Sequence, residues 1–143
     1  MPNSANAKSA DYFEHAADIG IIGRGPSVAA AFEGAARAMF AIMAEPGRAA
    51  SAEISANIEF SEDDVELALV VWLNALLAAA RERRGVFTEF HLTHDGRRWR
   101  GTAHGARWNA DDELGTEVKG ATLTALAVQP AAEGWEARCV VDV

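Results

Sequence analysis

Two acidic residues, Asp18 and Asp142, each stand at the end of an apolar run that is typical of a buried strand. Asp18 precedes Ile19–Ile22, while Asp142 follows two valines and precedes Val143. A carboxylate with apolar chain on both sides has to be hydrogen-bonded, ion-paired or metal-bound, because burying it without a partner is costly. Hard cations such as calcium and magnesium take oxygen ligands. If the two strand ends meet, Asp18, Asp142 and the terminal carboxylate of Val143 could hold such a cation.

An alternative gives each acid a separate structural role, in which it caps a strand end or accepts from a backbone N–H. From spacing alone this alternative is favoured, because perturbed carboxylates are often structural. A further candidate is Lys119, which stands in an otherwise apolar segment. Either its stem lies along the surface with the ammonium in water, or the ammonium faces a phosphate or a carboxylate.

Signatures of common nucleotide-binding and hydrolytic enzymes are missing from the sequence. No Gly-rich phosphate loop precedes a helix, and there is no Gly-x-Ser-x-Gly elbow. Cys139 and the four histidines lack the spacing of zinc ligands. We interpret His91 and His94, which flank a hairpin, as solvent-facing positions, and His15 as a structural histidine near Asp18.

The first of two predicted helices begins after Ser27, whose hydroxyl can accept from an orphan helical N–H. Apolar residues recur at helical spacing over 28–43, which predicts an amphipathic helix packed on a sheet. Pro46-Gly47 is expected to end it.

The second helix is expected to begin at a capping box formed by Ser61 and Asp64 and to end at Gly85. Residues 65–77 are apolar nearly all round, so this helix is either buried on more than one side or presents a surface to a partner. Burial is favoured, because exposed apolar patches on monomers are limited in size.

Strands account for most of the remaining chain. Period-two alternation predicts a half-wet antiparallel strand over 52–60, and Asp95-Gly96 predicts a hairpin between strands at 87–93 and 97–107. Further strands are predicted at 12–13, 19–22 and 135–143, with a polar loop at 108–115 and a turn at 130–134. Residues 118–128 could form a strand or a helix, and a strand is favoured. These elements predict an α+β fold, in which a single-domain two-layer sandwich has a mainly antiparallel sheet packed by two long helices. Residues 1–10 are expected to be a flexible tail and 11–143 the domain.

Composition limits the function classes further. The 143 residues carry a net charge of −8, which argues against direct binding of nucleic acid phosphates. One basic cluster exists, and its arginines could face solvent: Arg81, Arg83, Arg84, Arg97, Arg98 and Arg100. A single cysteine, no apolar run long enough for a membrane span and no signal-peptide pattern predict a soluble, cytoplasmic protein.

Four segments in order resemble the archease family: Tyr12-Phe13-Glu14-His15-Ala16-Ala17-Asp18-Ile19-Gly20, Trp72-Leu73-Asn74-Ala75-Leu76-Leu77, Leu114-Gly115-Thr116-Glu117-Val118-Lys119 and Val140-Val141-Asp142-Val143. The resemblance spans nearly the whole chain after the first ten residues. It implies a non-enzymatic accessory protein of the GTP-dependent RNA-splicing ligase, which promotes ligase guanylylation and multiple turnover. The family's divalent-metal site matches Asp18, Asp142 and Val143, with calcium expected first and magnesium or manganese as alternatives. Its functionally important lysine matches Lys119. With the resemblance, a metal site is favoured over separate structural roles.

The chain departs from the family pattern at two places. Ala16-Ala17-Asp18 stands where family members usually have Thr-Ala-Asp, so a hydroxyl near the metal is lost. Leu123-Thr124 stands where they tend to have Tyr-His, which implies altered partner recognition if that pair contacts the ligase.

Two other functions remain open. One is a general chaperone or modulator of nucleic-acid-modifying enzymes such as methylases, acting through the apolar second helix. The other, and the weakest, is a stand-alone metallo-hydrolase with His15 or Glu117 as its base. Neither the identity of the ion, the oligomeric state nor the partner surface follows from the sequence.

Overall fold

The computed structural model describes residues 12–15, 18–43, 52–108 and 117–143, with the backbone alone at 13–15 and 52. The predicted tail at 1–10, the helix end at Pro46-Gly47 and most of the polar loop at 108–115 lie outside the described residues. In chain order the elements are β1 (Tyr12–His15), β2 (Asp18–Gly25), α1 (Val28–Met43), β3 (Ala52–Ser61), α2 (Val65–Arg83), β4 (Gly85–Asp95), β5 (Arg98–Arg107), β6 (Gly120–Ala121), β7 (Ala127–Ala131) and β8 (Gly134–Asp142).

The strands form two antiparallel sheets. One has the order β1-β2-β8-β6, with β7 also paired to β8, and the other has the order β3-β5-β4. The predicted α+β class is confirmed. The sequence pattern did not predict that the strands divide into two sheets. Because β2 near the start of the chain pairs with the last strand, the two ends of the fold lie side by side.

Both helices contact both sheets, so one core is shared by all layers. Helix α1 packs on β2, β8 and β4, and helix α2 packs on β3, β4, β6 and β7. The Trp72 Nε1–H of α2 donates to the Phe32 carbonyl of α1 at 3.1 Å, which satisfies the indole inside the core. The predicted burial of the second helix is confirmed for seven of its residues: Ala68, Leu69, Trp72, Leu73, Leu76, Leu77 and Ala80. Neither described helix combines the length and the apolarity needed to cross a membrane.

The helix ends agree with the sequence at one of three places. Ser27 caps α1, because its Oγ accepts from the Ala30 N–H at 3.1 Å. The predicted capping box of α2 is wrong: Asp64 is the N-cap and accepts from two helical N–H groups, at 2.9 and 3.1 Å, while Ser61 still belongs to β3. Gly85 does not end the helix either, since Arg84 adopts the left-handed conformation (φ 58°) and Gly85 begins β4. Gly85 is needed instead because a Cβ there would collide with the Ala106 carbonyl.

The other predicted strands are found with changed ends. β3 has Ile54, Ala56 and Ile58 on its buried face, as the period-two pattern predicts. Asp95 pairs with Arg98, which confirms the hairpin. The strand predicted over 118–128 is wrong as a continuous element, because residues 122–126 leave the edge of the sheet between β6 and β7. The predicted turn at 130–134 is shorter, since β7 continues through Pro130, a residue that an edge strand tolerates.

Candidate functional site

Asp18 and Asp142 lie on neighbouring strands of the five-stranded sheet. Ile19 of β2 pairs with Val141 of β8, and the antiparallel register runs on from that pair in both strands. One register step beyond it, Asp18 and Asp142 stand opposite each other. Residues directly opposite in an antiparallel pair project to the same face, with Cβ atoms about 4.5–5.5 Å apart. The fold therefore brings the two sequence-predicted acids together.

This carboxylate pair, Asp18 with Asp142, lies on the face of the sheet that points away from α1. Gly23 of β2 faces α1, because a Cβ there would collide with backbone atoms of Ala31 and Ala35. Since strand side chains alternate, Asp18 is on the opposite face. Farther along the same outer face, Arg24 and Glu136 form an ion pair at 3.6 Å.

The exposure of the two acids corrects one premise of the sequence argument. Asp18 is half-buried and Asp142 is exposed, and no charged side chain is fully buried among the described residues. A large desolvation cost therefore does not force a partner on them. Their placement still favours a cationic partner, because like charges directly opposite each other on paired strands are destabilising.

Val143 and Lys119 flank the carboxylate pair at the same end of the sheet. The Lys119 N–H donates to the Asp142 carbonyl at 2.8 Å, and the next residue, Gly120, pairs with Asp142. Lys119 is exposed, whereas Val143 is half-buried and packs against the core. All four predicted site residues thus lie at one end of the sheet, with Lys119 directly before β6 and Val143 directly after β8.

Two polar residues of α2 fix the backbone of the Lys119 segment. Asn74 Oδ1 accepts from the Ala121 N–H at 2.8 Å, and its Nδ2 donates to the Ala121 carbonyl at 3.3 Å. Arg81 Nη2 donates to the carbonyls of Val118 and Lys119 at 3.2 and 2.6 Å. Sequence reasoning missed these positioning residues. The available signal was a single amide inside the apolar run of α2, because a half-buried amide needs hydrogen-bond partners.

The remaining sequence candidates lie elsewhere or are engaged. His15 pairs with Asp18 through the backbone, and its side chain is outside the described residues. His91 and His94 are exposed, as expected, and the His94 ring stacks on Trp99 with centroids 4.1 Å apart. Glu117 is exposed. In the parts of the chain that the structure describes, no three His, Cys, Asp or Glu side chains come close enough to hold a metal ion.

The arginines that are clustered in the sequence bind different partners in the structure. Arg97 pairs with Asp63 at 3.6 Å, and Arg100 pairs with Glu59 at 3.9 Å. Arg83 Nε donates to the Ser55 carbonyl at 2.7 Å, on the opposite side of α2 from the Arg81 contacts. These side chains do not form one continuous basic surface.

An apolar cavity of about 260 Å³ lies below the Lys119 segment, lined by Met43, Leu77, Ala80, Trp108 and Val118 among others. The carboxylate pair is not part of its lining. The fold and the site thus define a small α+β protein whose acidic pair and lysine are displayed at one end of a sheet and not enclosed in a cleft.

Comparison with known proteins identifies the family. The sequence model of the Archease protein family (MTH1598/TM1083) matches residues 11–143. The chain is 31% identical to the protein archease of Methanosarcina acetivorans over the full length of both. It is also 31% identical to the protein archease of Sulfolobus acidocaldarius, covering 93% of this chain and 97% of the relative. The chain belongs to the archease family.

Solved structures agree with this assignment. The solution structure of protein 1598 of Methanobacterium thermoautotrophicum superposes with a TM-score of 0.69 at 25% identity, covering 93% of this chain and 97% of that one. An archease from Thermotoga maritima, described as a possible chaperone, superposes with a TM-score of 0.64 at 18% identity and covers 92% and 94% of the two chains. The second likeness shows the fold alone.

Proposed function

We propose that this chain is an accessory protein of the GTP-dependent RNA-splicing ligase and promotes the guanylylation and the multiple turnover of that ligase. In this proposal Asp18 and Asp142 hold a divalent cation, Val143 adds a carboxylate or carbonyl oxygen, and Lys119 stabilises phosphate or ligase carboxylates. The observation that carries it is the placement of the two acids opposite each other, beside a lysine whose N–H is bound to Asp142. The chain itself is not proposed to be an enzyme.

The chemistry of the acids supports a cation of the hard class. Two carboxylates that share one face of a sheet repel each other, and a divalent ion between them removes that repulsion. Calcium is proposed first, because it tolerates irregular shells of six to eight oxygens; magnesium and manganese are the alternatives. When bound, the ion would supply positive charge for phosphate oxygens. Main-chain oxygen, water or groups of a partner would complete its shell.

An open site suits an accessory role. Asp142 and Lys119 are exposed, so a reacting phosphate held there by this chain alone would remain in contact with bulk water. Docking on a ligase would exclude that water and strengthen every charge interaction at the site. The net charge of −8 supports docking on a basic cleft that binds RNA and GTP, since complementary charge favours such encounters.

The direct test is guanylylation of the cognate ligase with and without this protein. We expect the wild-type chain to increase ligase turnover, and Asp18→Asn and Lys119→Ala to lose most of the increase while remaining folded, as circular dichroism would show. Glu53→Gln, which removes an exposed acid on β3, is the matched control and should behave as wild type. Unchanged turnover with the wild-type chain present would rule out the proposal.

A second candidate is a general chaperone or modulator of nucleic-acid-modifying enzymes such as methylases. It is supported by Leu67 and Val71, which are exposed on α2, and by the Thermotoga relative that is described as a possible chaperone. Affinity capture separates the two candidates, because recovery of methylases without the ligase would favour the second. A cytoplasmic location, a protein partner and the absence of direct nucleic acid binding remain predictions.

A further inference from the structure

Three large apolar side chains are exposed in the described part of the chain: Leu67 at 39%, Val71 at 37% and Leu123 at 63%. We call these three residues the apolar patch. Scattered apolar residues on a surface need no explanation, whereas a contiguous group commonly marks an interaction site. Whether the three are contiguous therefore decides whether they matter.

Two sets of hydrogen bonds that fix the course of the chain along α2 indicate that they are. Leu67, Val71 and Asn74 recur at i, i+4 and i+7 and so share one stripe of the helix. Arg81 holds the carbonyl of Lys119, and Asn74, two turns earlier in the helix, holds the backbone of Ala121.

The chain from Lys119 to Ala121 therefore runs back along α2 toward the N-terminal half of the helix. If the chain continues in this direction, the turn at 122–126 passes the part of the stripe that carries Val71. Contacts of α2 with β7, which follows this turn, agree with that course. This course brings Leu123 to the side of α2 that carries Leu67 and Val71.

Leu123 is presented on a turn that is fixed at both sides. The N–H and Oγ1 of Thr122 donate to the Val140 carbonyl at 2.9 and 2.8 Å, and the Val140 N–H donates to the Thr124 carbonyl at 3.2 Å. Ala125 takes a left-handed conformation (φ 52°) to return the chain to the sheet. Because the turn is already ordered, binding of a partner at Leu123 carries no free-energy cost for ordering it.

The turn that carries Leu123 adjoins the proposed functional site. Thr122 is bound to Val140, and Lys119 is bound to Asp142 two residues further along the same strand. A partner that covers Leu123 is therefore within a few residues of the carboxylate pair and Lys119.

We propose that the apolar patch is the surface through which this chain docks on its protein partner, an apolar groove flanked by basic side chains on the ligase of the proposed function. This inference rests on that proposed function. The charge at the Leu67 end of the patch favours such a groove, because Glu66 borders Leu67, and the acids Glu62, Asp63 (paired with Arg97) and Asp64 precede the helix. Apolar residues at the centre supply most of the affinity, and the acidic rim sets the rate and choice of partner. RNA and anionic membranes would be repelled by the same rim.

The test is a titration of ligase guanylylation against the concentration of this chain. We expect Leu123→Lys to raise the half-saturating concentration about tenfold or more, because it removes a buried apolar contact and adds repulsion from a basic groove. Leu123→Ser should raise it less. Ala132→Lys adds the same charge in the exposed β7–β8 turn and is the matched control, with wild-type behaviour expected. All variants should reach the wild-type plateau, because the carboxylate pair and Lys119 are unchanged.

The outcomes separate the two proposals. If the wild-type chain does not stimulate the ligase, the proposed function and this inference fail together. If it does, and Leu123→Lys keeps the wild-type half-saturation, only this inference fails. Weaker binding of Leu123→Ser than of the wild-type chain to a single-stranded RNA oligomer, with half-saturation unchanged, would assign the patch to RNA. A wild-type dimer in sedimentation that Leu123→Lys dissociates would assign it to a second copy of the chain. Either result would overturn the inference. The melting temperature of each variant checks folding, which the exposure of Leu123 should leave unaffected.

Discussion

Asn74 binds both backbone groups of Ala121, accepting from its N–H at 2.8 Å and donating to its carbonyl at 3.3 Å. A side chain of the central helix thereby takes the place of a neighbouring strand at the edge of the sheet. Because β6 has only two residues, these bonds and the Arg81 contacts keep Lys119 beside Asp142. The position of the lysine is set by the helix as much as by the sheet.

We therefore expect Asn74→Leu to loosen the Lys119 segment. The substitution leaves the N–H and carbonyl of Ala121 without partners, which costs about 1–3 kcal/mol of unfolding free energy. Amide exchange at Lys119, Gly120 and Ala121 should become faster, and urea unfolding should show the lower stability. Asn57→Leu, at an exposed position of β3, is the control and should leave exchange in this segment unchanged. Wild-type exchange rates in Asn74→Leu would contradict the positioning role.

The carboxylate pair predicts a cation-dependent stability that can be measured without any partner. Calcium should raise the melting temperature of the wild-type chain, since a ligand that binds only the folded state stabilises it by about 2.7 kcal/mol at a hundred times its Kd. Asp18→Asn and Asp142→Asn should each abolish this rise. In chelator, each variant should be more stable than wild type by about 0.2–1 kcal/mol, because the repulsion between opposed acids is gone.

Differential scanning calorimetry with calcium and with chelator measures both effects. Glu53→Gln removes one charge at an exposed position of the other sheet and should respond to calcium as wild type does. An equal melting temperature of the wild-type chain in the two buffers would count against a calcium site, and repeating the scan with magnesium and manganese would then decide between a different ion and none.

Much of the fold could be predicted from the sequence because its signals are local. The alternation of Ile54, Ala56 and Ile58 and the cap at Ser27 depend only on residues near each in the chain. The pairing of β2 with β8 is not local, so no pattern within either strand indicates the division into two sheets. Ser61 and Asp64 are both residue types that cap helices well. Asp64 caps α2 because Ser61 still pairs with Arg98 in the sheet.

In the candidate site, too, contacts between residues far apart in the chain could not be predicted from the sequence. Asp18 and Asp142 were selected by their positions at strand ends and by family resemblance, and the register between their strands adds the geometry. The turn at 122–126 was missed because its cause is a contact between distant residues, the Thr122 hydroxyl and the Val140 carbonyl. The positioning role of Asn74 cannot be read from its neighbours in the chain, since its partner Ala121 lies 47 residues away.

Close packing predicts opposite effects for one substitution at two glycines. A Cβ at Gly101 would lie 2.6 and 2.8 Å from ring carbons of Trp72, which is fully buried and held by its bond to Phe32. Gly101→Ala should therefore lower the unfolding free energy by about 1–3 kcal/mol. At Gly120 the nearest atom to such a Cβ is Asn74 Oδ1 at 3.5 Å, an ordinary contact.

Gly120→Ala should thus be neutral or stabilise by up to about 1 kcal/mol, because the unfolded chain loses freedom. Urea unfolding of the two variants side by side measures the difference. Equal stability of both would show that the Trp72 ring can move aside and that the core is less tightly packed than the distances indicate.

Cys139 should make stability depend on pH above the neutral range. Its side chain is fully buried on β8, and desolvation by burial raises its pKa from 9.0 to about 12. The folded chain thus keeps the thiol proton to higher pH than the unfolded chain does. The stabilisation from the protonated thiol is present in full below about pH 9 and is lost as the pH rises toward 12. Over that whole interval the loss amounts to about 4 kcal/mol.

Comparison of wild type with Cys139→Ala isolates this effect, because lysine and tyrosine titration is common to both. The stability difference between them should be constant from pH 7 to 8.5. By pH 10 the unfolding free energy of the wild type should fall by about 1.4 kcal/mol relative to that of Cys139→Ala, as urea unfolding would measure. The same burial predicts that a thiol reagent at pH 8 labels Cys139 only at the rate of unfolding. Rapid labelling of the folded chain, or parallel pH profiles of the two proteins, would show that the thiol is reached by water.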